Sequence, residues 1–538
     1  MEIIQSAMRR ARRAPARRQF GTIRRMHTAR FVSMTVLCLG ILTGCSLPPL
    51  ESRGASQALA PDVARDTALG RAIAPLAARH PGKSGIHPLS DAHDAFAARM
   101  MLVRAAQRSL DVQYYIWHDD MTGTMLLEAL HAAADRGVRV RLLLDDNGTA
   151  GLDTVLAALD AHPNIEVRLY NPFVVRWPKP IGYLTDFRRL NRRMHNKSLT
   201  ADNQATIVGG RNIGDEYFGA TNGVLFSDLD VLAVGAVVPD VSADFDRYWA
   251  SQSAYPVAGL LKPAGPDELA ALERKAGAVE RSPEAAAYAE AMRELPFIQQ
   301  LLRGELALEW ADTRMVSDDP RKTLGTAPPE AMLPHQLHDI VGTPTTDLEL
   351  VSPYFVPTAS GTEAFARMAQ GGVKVRVLTN ALEATDVAVV HSGYASRRHD
   401  LLAAGVELFE MKRQAGAERN KSLGPFGSSG SSLHAKTFAV DGRSVFVGSF
   451  NFDPRSARLN TELGFVIDSP TLARHIADAF EHDIPRNAYR VCLDDKGRLY
   501  WLEQRDGRTL RHDTEPGTTA WQRFSVWFVS LLPIESLL

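Results

Sequence analysis

Met194-His195-Asn196-Lys197 with Asp202 and then Gly209-Gly210-Arg211-Asn212, and Leu433-His434-Ala435-Lys436 with Asp441 and then Gly448-Ser449-Phe450-Asn451, are the stretches around which this chain is organised. Both read H-x-K-x4-D-x6-G-x-x-N, and each matched residue of the second lies 239 positions after its counterpart (434 − 195, 451 − 212). Identities held at one constant offset indicate a duplicated unit, not an accident of composition. The surroundings repeat as well. Leu110 to Ile116, Thr122 to Arg136 and Val138 to Leu144 read as strand, helix and buried strand, with Gly137 closing the helix. Asp347 to Tyr354, Glu363 to Gln370 and Val373 to Leu378 read the same way, so a parallel βαβ unit precedes each motif.

A neutral histidine is a nucleophile or proton carrier near neutral pH, and phosphorus is a centre that it attacks. Lys197 and Asn212, and likewise Lys436 and Asn451, supply hydrogen-bond donors for the oxygens of a phosphoryl group as charge builds there. One copy is half a site. Two copies facing each other let one histidine attack while the other protonates the leaving oxygen. Both motifs also carry turn-and-strand patterns, and an aspartate at a hairpin turn caps its own backbone, so Asp202 and Asp441 have a structural reading beside a catalytic one.

The paired motif resembles the phospholipase D superfamily. Gly209-Gly-Arg-Asn-Ile-Gly-Asp-Glu-Tyr-Phe218, Leu433-His-Ala-Lys-Thr437 and Gly448-Ser-Phe-Asn-Phe-Asp-Pro-Arg-Ser456 are similar to its bacterial cardiolipin synthase branch, nearest the C type, from about Leu110 onward. The resemblance implies an α/β fold: two α/β/α sandwich domains, each a mixed sheet flanked by helices, related by a pseudo-twofold axis with the active site at their interface. It implies a catalytic set of His195, Lys197, Asp202, His434, Lys436 and Asp441, with Asn212, Asn451 and Ser449 on the substrate. An acid hydrogen-bonds each histidine ring; Asp230 and Glu462 match that place, with Asp228 competing for the first. Family habit makes His195 the nucleophile, since the repeat itself is silent on the choice. The implied reaction moves a phosphatidyl group from a donor, phosphatidylglycerol or phosphatidylethanolamine, to phosphatidylglycerol. It uses no metal and no cofactor. A hydrolase with water as acceptor, an exported nuclease and a lipid-binding lipoprotein are the alternatives, and the sequence identifies no accessory protein.

The chain has 538 residues, 45% hydrophobic and 23% charged, ordinary for two or more globular domains. The net charge of −1 supplies no global field for nucleic acid, and none is expected as partner. An arginine-rich start is followed by the apolar run Phe31 to Ile41, too short to span a bilayer, and by Leu42-Thr-Gly-Cys45. This reads as a signal peptide ending in a lipobox with Cys45 as lipid anchor, placing a membrane-associated lipoprotein on the periplasmic side of a Gram-negative-type bacterium. Ser46 after the cysteine favours the outer membrane. Of three cysteines only Cys492 is then left, so neither a disulfide framework nor a cysteine metal cluster is expected.

The expected divisions are 1–45 signal peptide, 46–90 an Ala/Pro/Ser/Gly-rich tether, 91–255 first domain, 256–335 helical connection, 336–485 second domain and 486–538 C-terminal extension. Arg176, Lys179, Arg188, Arg189, Arg192 and Arg193, interleaved with Trp177, Tyr183 and Phe187, read as a solvated face or as an anionic-lipid contact, and the same pattern suits single-stranded nucleic acid, the basis of the nuclease alternative. Met292, Leu295, Ile298, Leu301 and Leu302 are spaced as a helical core stripe, and the Gly/Ser-rich Lys412 to Ser432 as a mobile lip over the site. His391 is a candidate substrate contact and His399 a surface residue. The apolar tail Trp521 to Leu532 reads first as a buried closing helix, with an interfacial helix as the other reading.

Overall fold

The computed structural model describes residues 46–538 apart from 51–52, 220–227, 266, 386, 414–432, 533–534, 536–537 and several positions within 284–296. Cys45 and the signal segment, most of the lip, and Met292 and Leu295 of the helical stripe lie outside the described residues.

The first sheet is built from β1 (Ser84–Leu89), β2 (Ser109–Ile116), β3 (Arg139–Gly148), β4 (Ile165–Tyr170), β5 (Ser198–Ala201), β6 (Ala205–Gly209), β7 (Asp230–Gly235), β8 (Ala254–Pro256) and β9 (Glu309–Ala311). Their order is β8-β4-β3-β2-β5-β6-β7-β1-β9. The second sheet contains β10 (Thr313–Ser317), β11 (Asp347–Val351), β12 (Lys374–Asn380), β13 (Glu407–Met411), β14 (Thr437–Val440), β15 (Ser444–Gly448), β16 (Leu463–Asp468), β17 (Ala488–Leu493), β18 (Leu499–Arg505) and β19 (Arg508–His512). They run β10-β16-β15-β14-β11-β12-β13-β17-β18-β19. The repeat is explicit in these orders: β4-β3-β2-β5-β6-β7 matches β13-β12-β11-β14-β15-β16. In each half the strand before the motif pairs parallel with the next strand and antiparallel with the strand that follows the histidine.

Local chemistry accounts for the elements. All of β2 is buried, as expected of a central strand covered on both faces, and its polar Asp111 is satisfied by Arg141 at 2.7 Å. Helices α1 (Ala92–Ala105) and α2 (Met121–Asp135) start at Asp91 and Asp120, whose side chains accept from Asp94 N and Gly123 N. Phe96 and Leu102 of α1 and Leu126 and Leu130 of α2 pack on Val112, Tyr114, Leu142 and Leu144. The two halves meet through a shared apolar core in which Val208, Val231 and Ala233 of β6 and β7 join Val445, Val447, Phe465 and Ile467 of β15 and β16. Strands that end in the motifs are therefore packed against each other, and this brings the two half-sites together.

Three expectations of layout are corrected. The stretch 46–90 is no plain tether: β1 lies inside the first sheet, antiparallel to both β7 and β9. Its Gly85 and Pro88 disguise a strand that buries Ile86 and Leu89. Nor is 256–335 only helical, since β9 closes one sheet and β10, directly after it, closes the other. The tail helix α9 (Ala520–Ser530) buries only Val526 and leaves its aromatic side chains exposed, against the buried reading. Among the described residues no helix is long and apolar enough to cross a membrane. The C-terminal extension instead continues the second sheet, through β17 to β19 at the edge of β13.

Candidate active site

Each motif histidine precedes a strand, with its lysine two residues on. Both histidines and both lysines are buried. His195 Nδ1 lies 2.8 Å from Glu462 Oε2, and His434 Nδ1 lies 2.7 Å from Asp228 Oδ2. Each ring is thus held by an acid of the opposite half. The main chain crosses as well, His195 N donating to Thr461 O and Thr461 N to Arg193 O, both at 2.9 Å. Tyr115 meets the His195 ring edge-on at 4.9 Å, and Tyr217 meets the His434 ring at 5.1 Å.

The acid on His434 is Asp228, not Asp230. Asp230 is buried between Arg99 at 2.8 Å and Arg211 at 3.1 Å, so its charge is consumed there. Arg211 in turn donates to the Asp228 carbonyl at 3.0 Å, which makes Asp230 a support two contacts removed from the ring. Gly210 leaves the space for Asp228: a Cβ there would sit 2.2 Å from Asp228 Oδ1. Asp202 and Asp441 are also placed away from chemistry. Asp202 Oδ1 accepts from Arg108 N at 2.7 Å and Ser109 N at 3.0 Å, and Asp441 Oδ1 from Thr345 N and Thr346 N at 2.8 Å. Both aspartates have positive φ in hairpin turns and tie those turns to the start of β2 and β11. Ser449 differs from expectation too, because its hydroxyl donates to Glu462 Oε2 at 2.5 Å and so positions that acid.

Among the described residues, each asparagine keeps a buried amide atom unpaired. Asn212 Oδ1 accepts from Ile116 N at 3.2 Å, while its buried Nδ2 has no hydrogen-bond partner among the described residues, nor has Asn451 Oδ1. Buried amide atoms left unsatisfied carry a desolvation cost that a bound polar group removes. Lys197 Nζ donates to the His195 carbonyl at 2.6 Å and Lys436 Nζ to that of His434, so each ammonium is pinned beside its own histidine. Burial and the two lysines hold His195 well below the ordinary histidine value and lower His434 to about 4. Burial pushes Glu462 up to about 7 and Lys197 down to about 7, whereas Asp228 is held below the usual carboxylate range by His434, against the effect of its burial. A phosphodiester anion between the lysines would offset the lysine charge that helps keep both imidazoles neutral.

The sequence did not announce Tyr115 or Tyr217, although Tyr115 and Tyr354 keep the 239-residue offset. Nor did it single out the buried Asp145–Arg193 pair at 2.5 Å, which accepts from Met194 N through Asp145 Oδ2 at 2.8 Å, or Asp318, which accepts from Glu462 N at 2.9 Å. The basic tract is mostly spent internally. Arg176 and Lys179 pair with Asp146, Arg189 with Asp186, and Arg192 donates to the Lys322 carbonyl. His391 is buried 3.1 Å from Glu515, tying α6 (Ala388–Ala395) to the C-terminal extension; His399 is exposed. An apolar cavity of about 390 Å³ lies behind the second motif, lined by Leu337, Val341, Phe365, Phe438, Phe450 and Phe452, the last two alternating with Asn451. Elsewhere, His118, Asp120 and Glu216 form a half-buried cluster. Burial alone would lower the His118 pKa, yet Glu216 at 3.1 Å and Asp120 raise it, so charge pairing accounts for the cluster.

Two histidines, each oriented by an acid across a pseudo-twofold interface and each accompanied by a lysine and an asparagine, define an enzyme of phosphodiester transfer. The comparisons give the family. Residues 100–249 and 339–484 match the family described as cardiolipin synthase, PLD-like domain. The chain is 51% identical to cardiolipin synthase C of Escherichia coli K12 over 474 residues, covering 87% of this chain and 99% of that protein. It is 31% identical to an uncharacterized protein of Helicobacter pylori 26695 over 88% of this chain and 93% of that one. The crystal structure of phosphatidylserine synthase from Haemophilus influenzae shares the fold, with a TM-score of 0.52 at 14% identity, covering 87% and 99% of the two chains. The chain therefore belongs to the phospholipase D superfamily, in its cardiolipin synthase branch.

Proposed function

We propose that this enzyme transfers a phosphatidyl group from a donor phospholipid, phosphatidylglycerol or phosphatidylethanolamine, to the glycerol headgroup of a second phosphatidylglycerol. The observation that carries the reading is the reciprocal pairing His195–Glu462 and His434–Asp228 in a relative half-identical to a cardiolipin synthase.

In the first step His195 Nε2 attacks phosphorus, the bond to the headgroup oxygen breaks, and His434 gives that oxygen its proton. In the second, His434 takes the proton of the acceptor hydroxyl, its oxygen attacks phosphorus and the N–P bond breaks. With phosphatidylglycerol as donor the products are cardiolipin and glycerol, and the number of phosphodiester bonds is unchanged. Lys197, Lys436, Asn212 and Asn451 hold the phosphoryl oxygens.

The environments supply a reason for assigning the roles. His434 faces an aspartate that stays ionised and favours its imidazolium, which suits a proton donor. His195 is held well below the ordinary histidine value and faces a glutamate raised by burial, which suits a neutral nucleophile. Internal pairing of the basic tract and the apolar cavity beside Asn451 favour a lipid over a polynucleotide. Lipid modification at Cys45 and a periplasm-facing membrane location belong to the same reading.

Lipid products analysed by mass spectrometry, from vesicles of phosphatidylglycerol alone and mixed with phosphatidylethanolamine, test it. Cardiolipin formed by wild type and not by His195→Ala or His434→Ala is expected. Phosphatidic acid in its place identifies a hydrolase, and the absence of any lipid product contradicts the reading.

A further inference from the structure

Two surfaces remain unexplained by the fold. In α3 (Gly182–Leu190) and the turn before it, Trp177 is 87% and Leu184 86% exposed, with Ile181 and Phe187 beside them. In α9, Trp521 is 72% exposed and Phe524, Trp527 and Phe528 also face solvent, and Leu531 just after it is 63% exposed. The α9 rings stack on one another, Trp521 on Phe524 at 5.6 Å and Phe524 against Trp527 at 5.7 Å. This helix is firmly made, with Thr519 and Gln522 closing a capping box at its start. A formed helix whose aromatic side points outward is a binding surface.

Arg455, in α7 (Pro454–Arg458) just after the second motif, contacts both the end of α3 and the last residue of the chain. Its guanidinium donates to Asn191 Oδ1 at 2.9 Å and Asn191 O at 2.8 Å, at the end of α3. Its backbone N donates to Leu538 O at 2.8 Å, beyond α9. The charge of Arg455 also acts on His195. The two aromatic surfaces thus belong to the side of the molecule that carries the active site.

We propose that the α3 and α9 surfaces insert together into the headgroup boundary of a lipid bilayer and set the active site against it. The chemistry of the patches selects this occupant. Phe524 to Leu532 contains no charged residue, α9 is too short to cross a bilayer, and Trp and Phe are the side chains suited to the interface. Exposed Arg188, with no ion-pair partner among the described residues, and Arg523 flank the rings and complement anionic headgroups. The choice of a lipid surface rests on the phosphatidyltransferase reading; the exposed surfaces do not.

The full chain has seven tryptophans, of which Trp117, Trp249 and Trp501 are buried and Trp310 is half-buried, stacked on His80 away from both patches. Fluorescence of the purified protein with phosphatidylglycerol vesicles brominated near the headgroup therefore reports on Trp177, Trp521 and Trp527. Quenching of wild type is expected, lost in Trp177→Phe/Trp521→Phe/Trp527→Phe. Phe524→Asp/Phe528→Asp is expected to lower turnover on vesicles by about tenfold while leaving turnover of monomeric dihexanoyl phosphatidylglycerol unchanged. Unquenched wild-type fluorescence overturns the proposal, as does a chain that dimerises through these rings without quenching. Quenching without turnover of any lipid leaves the bilayer surface standing and refutes the function.

Discussion

His195 and Glu462 stand in different halves of the repeat and are joined Nδ1 to Oε2 at 2.8 Å, so neither half contains a complete catalytic dyad. Glu462 is itself fixed by the Ser449 hydroxyl and, through its backbone, by Asp318. It holds the imidazole proton on Nδ1 and leaves the Nε2 lone pair for phosphorus. Glu462→Gln is expected to lower kcat by about 10²-fold or more with little change in KM and an unchanged circular dichroism spectrum. A variant with wild-type kcat contradicts the orienting role.

The pH profile follows from the same pair. Burial raises Glu462 to about 7, and below that pH an added proton on the dyad silences Nε2. Burial lowers Lys197 to about 7, and above that pH its charge is lost from the phosphate site. The kcat/KM of the free enzyme is expected to be bell-shaped with its maximum near pH 7. Glu462→Gln should remove the acid limb only; an acid limb that survives it points to another group.

Asp228 and Asp230 are two residues apart and separate cleanly by experiment. Asp228→Asn is expected to reduce kcat by about 10²-fold by disturbing the tautomer and charge of His434, with a smaller loss of stability than Asp230→Asn because the amide oxygen can still accept from Leu229 N. Asp230→Asn leaves Arg99 and Arg211 buried with an uncompensated charge and should cost about 3–5 kcal/mol in denaturant unfolding. Reversed outcomes would restore Asp230 as the orienting acid.

Asp202 accepts three backbone N–H groups from Gln107, Arg108 and Ser109 with no donor to spare. Asn there turns an NH₂ toward those donors. Asp202→Asn is expected to destabilise by about 1–3 kcal/mol while the folded fraction keeps kcat within about threefold of wild type. A large fall in kcat at full folding contradicts the structural assignment.

The duplicated motif made the fold and the centre of the site legible, because a constant offset exposes equivalent positions without any three-dimensional information. The acids were harder to read. They lie in the partner half, Glu462 267 residues after His195, and Asp228 and Asp230 are indistinguishable until Arg99 and Arg211 claim one of them. Strand β1 was hidden by its glycine and proline. The tail reads as core because an apolar stretch looks the same in sequence whether the fold buries it or leaves it exposed.

The most direct test is the site of the covalent intermediate. With phosphatidyl-p-nitrophenol the leaving group departs without a proton, so His434→Ala can still complete the first step but lacks the base for the second. Peptide mass mapping after a rapid quench should show one phosphatidyl group accumulating on His195 in this variant and no adduct in His195→Ala. An adduct on His434 in His195→Ala, or product formed without any adduct, contradicts the account.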